Sequence, residues 1–136
     1  MLIAGIDEAG RGSVLGPLVI AGVLIQDYAL PNLVQLGVKD SKRLSSKKRE
    51  VLYKEIQKVV EQVTVIKVSP KEIDAVVNTG EKFRRLNWLE AQKMGTLLNF
   101  LKTDVAYVDA ADISEERFKN QILEQLTKKI TVVSEH

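Results

Sequence analysis

The chain has no cysteine, one histidine, one tryptophan and three prolines in 136 residues. Without cysteine it forms no disulfide, no zinc–thiolate centre and no thiol nucleophile. That composition suits a reducing cytoplasm. The one histidine, His136, is the last residue and reads as an exposed terminus. Charge of one sign is lacking too. Twenty Lys and Arg face eighteen Asp and Glu, for a net charge of +2, so overall charge selects no partner. Long hydrophobic runs are absent. The longest, Val14 to Ile25, is too short to cross a bilayer. The N-terminus, "MLIAGIDEAG", has no basic lead and meets acids at Asp7 and Glu8, unlike a secretory signal. No membrane partner is expected.

What is present suits one domain. A chain of this length buries roughly two-thirds of its unfolded surface, enough for a core without staples. Residues 2–6 ("LIAGI") predict a short buried strand. Residues 17–26 ("PLVIAGVLIQ") predict a second, apolar on both faces and so inside a sheet. Ser45 or Ser46 can cap a helix with Leu52, Ile56, Val59, Val60 and Val63 at helical spacing. A third strand follows at 63–68, then a short helix starting at Ser69–Pro70. Asn87 and Glu90 form a capping-box-like pair before a helix with Ala91, Met94, Leu97, Leu98 and Leu101 on one face. Gly95 in that helix signals a close packing contact or a cost of about 1 kcal/mol. A fourth strand is predicted at 105–109. Ser114 caps a last helix, buried through Phe118, Ile122, Leu123 and Leu126, with Lys128 and Lys129 at its far end. A fifth strand is predicted at 130–134. The final β-α-β should be a parallel crossover. The result is a mixed sheet with helices on its faces.

Two of those strands end in acids: Asp7, followed by Glu8, and Asp109. An acid closing an apolar strand is half-desolvated. If strands one and four pair side by side, Asp7 and Asp109 meet, with Glu8 close behind. Two carboxylates 5 Å apart repel by roughly 3 kcal/mol at an effective dielectric of 20. A divalent cation reverses that sign, and oxygen ligands without His or Cys favour Mg²⁺ or Mn²⁺. For Asp109 alone, a solvated strand end is the simpler reading. Asp112 fits that reading better still, because the helix cap Ser114 follows it. For Asp7 and Glu8 it is weaker, since neither opens a turn or a helix. With no Cys, no internal His and no serine elbow, a hydrolase built here needs metal-activated water, which suits phosphodiester cleavage.

The loop after the acids carries Gly10, Arg11 and Gly12. The glycines permit close backbone approach, and Arg11 reaches a phosphate or a carboxylate. An ordinary connecting loop and a nucleic-acid loop stand about level. Residues 39–49 ("KDSKRLSSKKR") hold six cations against one acid. Lys42 and the backbone N–H groups there suit a phosphate, although a charge run more often forms a solvated face.

Taken together, "GIDEAGRG", "LGP", "DSKRL" and "YVDAAD", in this order and spacing, make the chain resemble type 2 ribonuclease H (ribonuclease HII) in its archaeal form. The resemblance runs from Leu2 to the end of the chain. It implies an α/β fold, a ribonuclease H-like mixed β-sheet flanked by helices, with residues 1–136 as the N-terminal portion of the catalytic domain. It implies endonucleolytic cleavage of the RNA strand in RNA–DNA hybrids, and cutting at ribonucleotides embedded in duplex DNA. Asp7, Glu8 and Asp109 then correspond to three of four metal-site carboxylates holding Mg²⁺ or Mn²⁺. Gly10, Arg11 and Gly12 correspond to the loop that senses the ribose 2′-hydroxyl, the group that separates RNA from DNA. Ser41 and Lys42 correspond to phosphate contacts. Ser13 stands where the family usually has proline. The family's fourth carboxylate lies a few residues beyond a histidine like His136, followed by C-terminal helices and a ribose-packing tyrosine. The resemblance therefore implies a truncated chain with weak or absent activity, and one able to self-associate where the complete enzyme is monomeric. A non-catalytic nucleic-acid-binding module and a folding fragment of the same fold are the alternatives.

Overall fold

The computed structural model describes residues 1–9, 17–37, 45–77, 82–110, 112 and 114–135, with backbone only for 77 and 82–84. Gly10, Arg11, Gly12, Ser13, Ser41, Lys42 and His136 lie outside the described residues. The elements run β1 (Leu2–Ala9), β2 (Leu18–Gln26), a 3₁₀ turn (Asp27–Ala29), α1 (Leu30–Gln35), α2 (Ser46–Val59), β3 (Gln62–Val68), α3 (Pro70–Val77), α4 (Lys82–Phe100), β4 (Val105–Asp109), α5 (Glu115–Gln125) and β5 (Thr131–Glu135). The five strands form one sheet in the order β3-β2-β1-β4-β5. β1 is antiparallel to β2, and β2 to β3. β1 is parallel to β4, and β4 to β5. This is the expected mixed sheet flanked by helices, with β1 at its centre and β2 inside it.

Alternation along the strands sorts side chains onto two faces. Ala4, Ile6, Ile20, Leu24, Ala106, Val108 and Val132 point to one face and are buried. There they meet α4 and α5 through Ala91, Met94, Leu97, Leu98, Leu101, Phe118 and Ile122. On the other face Gly5, Asp7, Tyr107, Asp109 and Glu135 are exposed.

Serine caps form where the sequence placed them. Ser45 Oγ accepts from Lys48 N–H at 3.2 Å, Ser69 Oγ from Glu72 N–H at 3.2 Å, and Ser114 Oγ from Arg117 N–H at 3.1 Å. Each satisfies a first-turn donor that the helix itself leaves without an acceptor.

Several expectations are corrected. β1 does not stop near Asp7 but continues to Ala9, because β2 keeps pairing with it as far as Ala9 opposite Val19. Asn87 and Glu90 do not start a helix; α4 begins at Lys82. Their spacing matches a cap, yet no breaker precedes them to end the helix there. Glu90 is instead fully buried. The stripe Leu52, Ile56, Val59, Val60 is only half-buried, and α2 has no fully buried side chain. On α5, Phe118 and Ile122 are buried but Leu123 is exposed. α5 also ends at Gln125, short of Lys128 and Lys129. Lys128 Nζ donates instead to the carbonyl of Leu101, just past the end of α4. The cation thus meets a helix C-terminus, as the dipole favours, but that of a different helix. Gly95 marks a close contact: a Cβ there would stand 2.6 Å from Gln125 Cβ.

Candidate metal centre

Asp7 and Asp109 come together through strand register. β1 and β4 are parallel with Ile6 beside Val108, so the next residues along, Asp7 and Asp109, are neighbours on the open face. Glu8 follows Asp7 and should point to the opposite face by alternation. One of its carboxylate oxygens nevertheless comes within reach of the two aspartates. Asp7, Glu8 and Asp109 each offer an oxygen, all within 4.8 Å of one another. The sequence expected this convergence of three acids, and it is the group the structure brings together. Gly10, Arg11, Gly12, Ser41 and Lys42 belong to the segments not described.

The electrostatics show what the grouping costs. Asp7 is exposed as a residue, but its carboxylate sits in a depression of about 530 Å³ on the open face, lined among others by Tyr107, Val108, Asp109, Val133 and Glu135. Loss of hydration there is the main cause that raises its pKa above the ordinary carboxylate value. The Glu8 N–H opposes this by donating to Asp7 Oδ1 at 2.8 Å. Asp109 adds to the rise through its charge and a shared hydrogen bond. Crowded, partly dehydrated carboxylates of this kind hold a hard dication without His or Cys. Two oxygens bound to one ion at about 2.1 Å are at most roughly 4.2 Å apart, so small side-chain rotations complete the approach. The donor set fits Mg²⁺ or Mn²⁺.

Asp112 has a different task. Its side chain is 3% exposed and accepts from Arg117 Nε at 2.6 Å and Nη2 at 2.5 Å. It also accepts from Ser114 N–H at 3.0 Å. The solvated-turn reading is corrected: the turn exists, but the acid is buried in a forked ion pair that ties the β4–α5 connection to α5. Arg117 was the available signal, five residues on and one helical turn from the cap. Glu135, which the sequence did not single out, lines the same depression. It is the in-register partner of Asp109, and it shows only once β4 and β5 are aligned.

A mixed sheet with antiparallel and parallel halves joined at β1, and acids meeting where β1 runs alongside the end of β4, defines a ribonuclease H-like protein. Comparison with known proteins narrows the class. The family model for ribonuclease HII matches residues 4–136, and the chain belongs to that family. It is 44% identical over 138 residues to ribonuclease HII of Thermococcus onnurineus, covering all of this chain and 58% of that protein. The crystal structure of ribonuclease H2 from Pyrococcus horikoshii matches with a TM-score of 0.87 and 40% identity, over 100% of this chain and 63% of that one. The ribonuclease HII of Archaeoglobus fulgidus, solved in complex with PCNA, matches with a TM-score of 0.85 and 40% identity, again over 100% and 63%. The chain thus spans about three-fifths of these relatives. Among the described residues no helix is long and apolar enough to cross a membrane.

Proposed function

We propose that these 136 residues form the N-terminal portion of the catalytic domain of a metal-dependent endonuclease. It hydrolyses the RNA strand of RNA–DNA hybrids and cuts at ribonucleotides embedded in duplex DNA. The observation that carries this reading is the meeting of Asp7, Glu8 and Asp109 within 4.8 Å in a chain of the ribonuclease HII family. A divalent ion bound there, Mg²⁺ or Mn²⁺, supplies water activation and charge neutralisation for phosphodiester hydrolysis. The chain's own residues prepare the place. The parallel β1–β4 ladder fixes Asp7 beside Asp109. The Glu8 N–H holds one oxygen of Asp7. Gly10, Arg11 and Gly12 are proposed to read the 2′-hydroxyl, and Ser41 and Lys42 to hold phosphates.

The test is a multiple-turnover assay with Mn²⁺ on an RNA–DNA hybrid and on a duplex with one ribonucleotide. It compares this chain with a form extended to the length of its relatives, and with Asp109→Asn in that form. The extended form should cleave both substrates, Asp109→Asn should not, and the 136-residue chain should be slow or inactive. Cleavage that survives EDTA or Asp109→Asn overturns the metal-site reading. Equal rates for the two lengths overturn the expected weakness of the shorter chain.

A further inference from the structure

We propose that Glu135 is a further carboxylate of the same cation site, acting on the ion's water shell rather than as a direct ligand. This rests on the metal-site reading above. β5 runs parallel to β4 with Glu135 in register with Asp109. In-register parallel neighbours share a face and lie about 4.8 Å apart along the ladder. Asp7, Asp109 and Glu135 therefore form a row across the adjacent ends of β1, β4 and β5, and all three line the same depression. The ladder persists to that point. Ala110 N–H donates to the carbonyl of Glu135 at 2.6 Å, which ties the backbone of Glu135 to the residue following Asp109. Glu135 lies on the open face, away from α4 and α5, so core packing does not explain an acid there.

Its distance class decides the role. Asp7, Glu8 and Asp109 offer oxygens mutually within 4.8 Å, and Glu135 is outside that set. Oxygens sharing one ion at about 2.1 Å cannot stand further apart than roughly 4.2 Å. Glu135 is thus placed for the next layer out. Mg²⁺ and Mn²⁺ retain several waters at carboxylate sites, and a neighbouring carboxylate accepts hydrogen bonds from them.

Mn²⁺ titration of the 136-residue chain, followed by electron paramagnetic resonance of the unbound ion, tests this without using activity. The parent should bind saturably, and Asp109→Asn should lose that binding. Glu135→Gln should weaken Mn²⁺ by about three- to tenfold, less than a buried outer partner would because the site is open to solvent and salt. Glu135→Asp should recover most of the loss, which a purely structural role would not require. Glu124→Gln, on the exposed side of α5, should match the parent. Circular dichroism melts confirm that each variant folds. A Glu135→Gln affinity equal to the parent's, with Asp109→Asn still deficient, overturns the inference alone. Failure of the parent to bind Mn²⁺ overturns it together with the metal-site reading for this chain.

Discussion

Replacing Asp7 with Asn removes one charge from the acidic group and keeps an oxygen able to accept the 2.8 Å bond from the Glu8 N–H. The magnitude follows from spacing. Two unit charges no more than 4.8 Å apart repel by at least about 3.5 kcal/mol at an effective dielectric of 20, and by at least about 0.9 kcal/mol at that of water. Asp7 is exposed as a residue, so the result belongs near the lower bound, about 1 kcal/mol. For a domain of this size that raises the melting temperature by about 3–5 °C. The expected outcome in EDTA at neutral pH is therefore a variant more stable than the parent. The pH dependence has a definite sign. Asp7 has a folded-state pKa raised above its ordinary value, so the folded parent takes up a proton before the unfolded chain does. Parent stability falls as pH rises from the ordinary carboxylate value through the raised one. The advantage of Asp7→Asn should thus be full above that window and absent below it. Mn²⁺ should invert the ranking: at ten times its dissociation constant an ion binding only the folded parent adds about 1.4 kcal/mol. Thermal melts across pH, with EDTA and with Mn²⁺, give all three readings. A variant that melts below the parent in EDTA, or a gap that ignores pH, refutes the idea that repulsion is stored at this site.

Gly95→Ala should destabilise the fold by about 1 kcal/mol, although alanine favours helix over glycine by nearly as much. The new Cβ would meet Gln125 Cβ at 2.6 Å and the Ile122 carbonyl oxygen at 3.1 Å, atoms close to the backbone of α5 that cannot swing aside. Urea denaturation measures it, and an unchanged or higher midpoint contradicts the contact. The open sheet face, with Val65 and Tyr107 each 48% exposed, should make this 136-residue chain associate as its concentration rises. Sedimentation velocity at several concentrations checks this; a monomer throughout rules it out.

Local signals carried much of the fold. Serine caps at 45, 69 and 114 act through bonds spanning three residues, so composition near each position suffices to find them. The face of α4 from Ala91 to Leu101 is fully buried because its spacing already matched the helical period. Where the sequence misled, the deciding partner was remote. The Asn87–Glu90 pattern looked like a cap, but nothing broke the helix before it. α1 was not foreseen, since six residues with Pro31 near the start give too little periodicity to recognise. Lys128 found the end of α4 rather than that of its own helix, a contact 27 residues away.

The sequence by itself determined the kind of chemistry open to this protein. Within these 136 residues, the positions of the acids against apolar strands marked Asp7, Glu8 and Asp109 as candidate ligands. Only the tertiary structure decided which acids meet. Parallel register sets Asp7 beside Asp109 and Glu135 beside Asp109, while α5 claims Asp112 for an ion pair. A one-residue slip in either ladder would turn these side chains to the opposite face, and register depends on packing between strands distant in sequence, Ile3 beside Val105 and Asp109 beside Glu135, which no local pattern encodes.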